Sequence, residues 1–150
     1  MNDRSIVNAM TIDVEDYFHV AALSEAIDRA DWDSIAPRVE QNTRRLLALY
    51  AEADVRCTFF VLGWVAERYP SLVREILDGG HELACHGFSH QLIYTQDHAT
   101  FRDETARAKA VLEDAGGVAV RGYRAASYSI TADSLWALDV IGELGFDYDS

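Results

Sequence analysis

The chain has little that would staple it, anchor it or draw it to a polyanion. Its 150 residues contain only two cysteines, Cys57 and Cys85. Two thiols cannot build a disulfide framework, and they fit a reducing compartment better than a secreted scaffold. No apolar run approaches the roughly 18 residues of a membrane span. The opening Met1-Asn2-Asp3-Arg4 leads into a short strand-like segment and not into an apolar signal region, so a cytoplasmic location is expected. Positive charge is scarce as well: 13 Lys and Arg stand against 25 Asp and Glu, for a net charge of -12. Such a surface repels phosphate backbones and anionic lipid, so neither nucleic acid nor a membrane is an expected partner.

What is present suits a folded domain. A hydrophobic fraction of 49% with 25% charged residues excludes disorder as the main state. The length fits one domain of roughly 100–200 residues. Ser5 to Val14 carries β-branched residues with a partial two-residue period and reads as a strand. Pro37 is placed to open a helix, with Val39, Thr43, Leu46, Leu47 and Tyr50 on one face. The run from Cys57 to Leu62, closed by Gly63, reads as a buried strand. A helix started by Pro70 and stopped by Gly79-Gly80 follows. His81 to His86 is a further strand, Phe101 to Ala115 a helix, Val118 to Ala125 a strand, and a last helix starts at about Ala132. Phe146-Asp147-Tyr148 begins one more strand. Four strand–helix repeats and a strand start imply a parallel α/β architecture, an open sheet or part of a barrel.

In such folds the C-terminal strand ends face the site. The first carries three carboxylates, Asp13, Glu15 and Asp16, whose mutual repulsion calls for a compensating positive group. The third carries His86-Gly87-Phe88-Ser89-His90. Two imidazoles four residues apart, joined by a carboxylate, form a three-ligand set with positions left for water, the pattern of a catalytic zinc or a similar divalent metal. The fourth carries Arg124, then Ala125-Ala126-Ser127-Tyr128. His19 follows the acidic cluster and could line a groove, and Phe18 to Ile35 reads as a loop over it. His81 reads as structural or exposed, His98 as a solvated loop or helix start, and Cys85 as a core thiol.

Thr11-Ile12-Asp13-Val14-Glu15-Asp16, His86-Gly87-Phe88-Ser89-His90 and Arg124-Ala125-Ala126-Ser127 resemble, in order, the first three motifs of the polysaccharide deacetylase (NodB-homology, carbohydrate esterase 4) family. Asp13 to Val20 and Gly122 to Ile130 are similar to the members found beside PEP-CTERM/exosortase loci. The resemblance implies the N-terminal part of a distorted (β/α) barrel of the NodB-homology type. It implies a metal-dependent enzyme that removes acetyl groups from an N-acetylated polysaccharide or oligosaccharide, here related to exopolysaccharide. His86 and His90 would hold one divalent ion, expected to be zinc, with a first-motif carboxylate. Strand alternation favours Glu15 for that place, and a strand ending at Val14 would admit Asp16. Asp13 would be the base and Arg124 its ion partner, while the Ser127–Tyr128 backbone would face the developing oxyanion and the substrate.

The chain departs from the family pattern at Glu15 and at Ala126, where proline is usual. A histidine acting as general acid belongs to a later motif, and four and a half strand–helix units fall short of a barrel of seven or eight. The expectation is therefore a domain over 1–150 cut on its C-terminal side and inactive by itself. An allantoinase-like C–N amidohydrolase and a catalytically inert carbohydrate-binding domain are the alternatives.

Overall fold

A computed structural model describes residues 8–150. Five parallel strands, β1 (Met10–Val14), β2 (Cys57–Val61), β3 (Glu82–Cys85), β4 (Gly122–Tyr123) and β5 (Tyr148–Asp149), lie side by side in chain order. Between them run α1 (Val39–Ala53), α2 (Gly63–Arg68), α3 (Pro70–Asp78), α4 (His98–Gly116) and α5 (Trp136–Glu143). A doubly wound sheet reverses its direction of growth at a switch point. This sheet adds each strand to the same edge, as a barrel does. The architecture is α/β, as expected, and matches the N-terminal part of a barrel.

The central strands explain themselves. Phe59, Phe60 and Val61 of β2 are all essentially inaccessible, so an unbroken apolar run suits a strand covered on both faces. Pro70 is the first residue of α3, where its missing N–H costs nothing, and Leu72, Val73 and Ile76 form the buried face. His81 is buried, and its Nδ1 accepts the N–H of Cys57 at 3.2 Å. Cys85 is wholly buried in the core.

Several boundaries differ from expectation. Within Ser5–Val14 the strand occupies Met10–Val14, and Ser5 to Val7 lie outside the described residues. Gly63 starts a helix instead of merely closing a strand. A Cβ there would stand 2.5 Å from the Phe88 ring and 3.0 Å from the Ala108 backbone, so glycine lets α2 approach α4. The expected strand from Val118 to Ala125 shrinks to Gly122–Tyr123. The helix expected at Phe101 begins at His98, capped by Asp97, which accepts the Thr100 N–H. The last helix begins at Trp136 after a 3-10 turn over Ala132–Ser134. Phe18 to Ile35 is built of short 3-10 turns.

Candidate metal centre

Three strand ends converge. Strand alternation puts Thr11, Asp13 and Glu15 on one side of β1, and His86 follows β3 directly. Two left-handed residues, Gly87 (φ +74°) and His90 (φ +52°), then turn the loop back on itself. A left-handed backbone is costly for a residue with a side chain. The surrounding bonds hold it: Gly63 and Trp64 donate their N–H groups to the carbonyls of Gly87 and Phe88. The free amides at the start of α2 thus fix the loop that carries both histidines.

As a result Glu15, His86 and His90 offer one ligand atom each, all within 4.8 Å of one another. Glu15 Oε2 is 3.0 Å from His90 Nε2 and 3.8 Å from His86 Nε2. His86 Nδ1 lies 2.9 Å from the Arg124 carbonyl. A carbonyl only accepts, so Nδ1 carries the proton and Nε2 turns its lone pair to the centre. Burial, and then the charge of Asp13, raises the Glu15 carboxyl to about 7. Burial lowers His86, while burial and the neighbouring His86 lower His90 to about 4. Burial keeps both imidazoles neutral beside the Glu15 carboxyl, whose buried Oε2 has no hydrogen-bond partner. That orphaned oxygen and two inward nitrogens are the donor set of a divalent cation, and the residues fit one.

Asp16 does not join them. Its buried carboxylate accepts the N–H groups of Tyr17 at 3.0 Å and Val39 at 2.9 Å, and also that of Arg38. The possibility that Asp16 is the third ligand is corrected on this ground: its oxygens cap α1 and the turn that follows it in sequence. The expectation that Pro37 opens the helix changes with it, since α1 starts at Val39 under the Asp16 carboxylate.

Asp13 stands at the edge of the cluster, its Oδ2 3.9 Å from His86 Nε2. Arg124 donates from one terminal nitrogen to Asp13 Oδ1 at 2.7 Å and from the other to Thr11 Oγ1 at 3.0 Å and Ser150 Oγ at 2.9 Å. The guanidinium also lies over the Phe60 ring, 4.0 Å from its centroid. Residues 127 and 128 line the same cleft of 200 Å³ as Asp13, Glu15, His86 and His90. Both are left-handed (Ser127 φ +48°, Tyr128 φ +54°), and Tyr128 is 84% exposed.

Sequence reasoning missed Thr11, although its place two residues before Asp13 puts it on the same face. Nothing local marks Ser150 or the bonds from Asp16 to Arg38 and Val39. His19 is buried beside the cluster, its Nδ1 accepting the Asp16 N–H at 2.8 Å. His98 starts α4 and stacks on Trp136, 4.0 Å between ring centroids.

The polysaccharide deacetylase family profile matches residues 30–148. A peptidoglycan-N-acetylglucosamine deacetylase of Bacillus cereus is 28% identical over 98 residues, 65% of this chain and 36% of its own length. A solved Mycobacterium smegmatis protein assigned to the polysaccharide deacetylases is 33% identical. It superposes with a TM-score of 0.77 over 94% of this chain and 49% of its own. A carbohydrate esterase family 4 pseudoenzyme of Bacillus anthracis, 18% identical, shares the fold with a TM-score of 0.71 over 94% of this chain and 41% of its own. The chain spans less than half the length of the curated relatives it matches first.

Proposed function

The chain belongs to the polysaccharide deacetylase family, and from that premise we propose that it carries the metal-binding and proton-accepting half of an N-acetyl glycan deacetylase. The observation that carries this reading is the trio of half-buried Glu15 with buried His86 and His90 beside the Asp13–Arg124 pair. Held by that trio, a divalent ion, zinc by the nitrogen-rich donor set, would supply the Lewis acidity that makes water acidic and polarises an acetyl carbonyl.

The chain's own residues supply the rest. Asp13 is within reach of the cluster and exposed enough to meet a substrate water, so it serves as the base. Arg124 keeps one Asp13 oxygen occupied and turns the other toward His86, which orients the base without quenching it. The left-handed backbone at Ser127 and Tyr128 shapes the cleft wall where an acetamide oxygen gains charge, and the exposed Tyr128 ring borders the substrate. The Asp-Val-Glu-Asp-Tyr-Phe-His-Val signature of residues 13–20 further suggests a glycan of the exopolysaccharide type made at exosortase loci.

The test pairs metal content with acetate release from N-acetylated oligosaccharides in the full-length protein. His86→Ala should lose both metal and activity. Acetate release that survives in that variant would sink the metal-dependent reading. Retained metal without acetate release from any N-acetyl glycan in the unaltered protein would favour a binding domain, a role open to the fold given its pseudoenzyme neighbour.

A further inference from the structure

Beside the metal cleft lies a second, larger cavity of 390 Å³, within the size range of small-ligand sites and roomy enough for a single sugar ring. The turns over 18–32 form one wall and the 90–95 segment the other. Val20 and His90 line both cavities, so an occupant of the second would sit next to the group held in the first.

The walls combine Phe18, Trp32, Ile27 and Leu92 with a few polar groups, among them His19, Arg29 and Asp28. The Asp16 N–H donates to His19 Nδ1, so the neutral His19 ring carries its proton on Nε2. That nitrogen and Trp32 Nε1 are buried without partners. Arg29 stands at the rim. Its guanidinium touches no carboxylate among the described residues; it lies over the Trp32 ring, 5.6 Å from the centroid, and makes long hydrogen bonds to Ser89 Oγ at 3.4 Å and Gln91 Oε1 at 3.5 Å. Elsewhere in this acid-rich chain Arg44, Arg68, Arg107 and Arg124 each hold a carboxylate. The one carboxylate in the cavity wall, Asp28, turns Oδ1 to the Ala30 N–H at 2.9 Å. A cavity with a guanidinium at its mouth that holds no carboxylate favours an anionic occupant.

We propose that this cavity is a subsite for a carboxylate-bearing sugar residue, linked next to the N-acetylated residue at the metal cleft, with Arg29 holding the carboxylate. The inference rests on the deacetylase reading of the neighbouring cleft, but its test reads binding.

The experiment titrates the full-length protein with two disaccharides, followed by tryptophan fluorescence and calorimetry. One joins glucuronate to N-acetylglucosamine, and the other is neutral di-N-acetylchitobiose. The acidic disaccharide should bind at least roughly tenfold tighter, and the preference should shrink with added salt. Arg29→Gln, at an exposed position, should abolish the preference, and Arg29→Lys should retain part of it. Equal affinity for the two, binding of neither, or a preference that survives Arg29→Gln overturns the proposal. Acetate release from chitobiose without a binding preference removes this inference and leaves the deacetylase reading. A carboxylate preference without acetate release does the reverse.

Discussion

Single side chains in this protein do separable jobs. Asp13→Asn keeps the shape of the proposed base and the Arg124 contact but takes away its capacity to accept a proton. Activity of the full-length protein should fall roughly 100-fold or more, with metal content unchanged. Steady-state acetate release set beside metal analysis checks the split. Arg124→Lys keeps a charge but cannot reach Asp13, Thr11 and Ser150 together, so kcat should fall while KM moves little. His81 adds to the acid sensitivity that the buried His19, His86 and His90 also carry. His81 is buried with Nδ1 accepting a main-chain N–H, and burial lowers it below its ordinary value of 6.5. The unfolded chain therefore binds the proton more readily. The contribution of His81 to stability is full above about pH 6.5 and declines as the pH falls below that value. His81→Gln should remove this share of the decline, so that urea midpoints taken from about pH 7.5 to about pH 5 fall less steeply than in the unaltered protein. The placement of Asp13 and Arg124 beside the cleft is legible in the sequence because each stands at a strand end. The three-way grip of Arg124 is not, since Thr11 and Ser150 come from opposite ends of the chain.

Among the elements, α1 lacks a local side-chain cap, and the Asp16 carboxylate caps it from 22 and 23 residues upstream. Asp16→Ala leaves those amides and the turn at Tyr17 unsatisfied, at a cost of about 1–3 kcal/mol. Denaturant unfolding would measure it, and Asp16→Asn should recover part of the loss. Gly63→Ala drives a methyl group into Phe88 and the Ala108 backbone. It should destabilise by about 1–3 kcal/mol and loosen the His86–His90 loop, to which Gly63 donates a hydrogen bond. The helices and central strands were readable because their apolar periods are strong, as at Leu72, Val73 and Ile76. The start of α2 was not, because a glycine after a strand looks like a stop unless the helix that packs over it is known. The candidate ligands were readable as a set of three carboxylates and two histidines. Choosing Glu15 over Asp16 required Arg38 and Val39, which no local pattern connects to them.

Across the whole molecule, neighbouring strands always follow one another in the chain, yet the cleft gathers groups from β1, β3 and β4. The contact between Arg124 and Asp13 closes a loop of 111 residues. Closing so long a loop costs chain entropy that only the intervening sheet can offset. The cleft is therefore expected to assemble late in folding. In the unfolded chain only His86 and His90 are near each other, and they would hold an ion weakly. Adding a chelator during refolding should leave the rate nearly unchanged, whereas adding it to the finished protein should lower the unfolding midpoint. Capture of the proposed ion would then be a kinetic report that the first four strands have met in order, a clock for the end of folding built into the site itself.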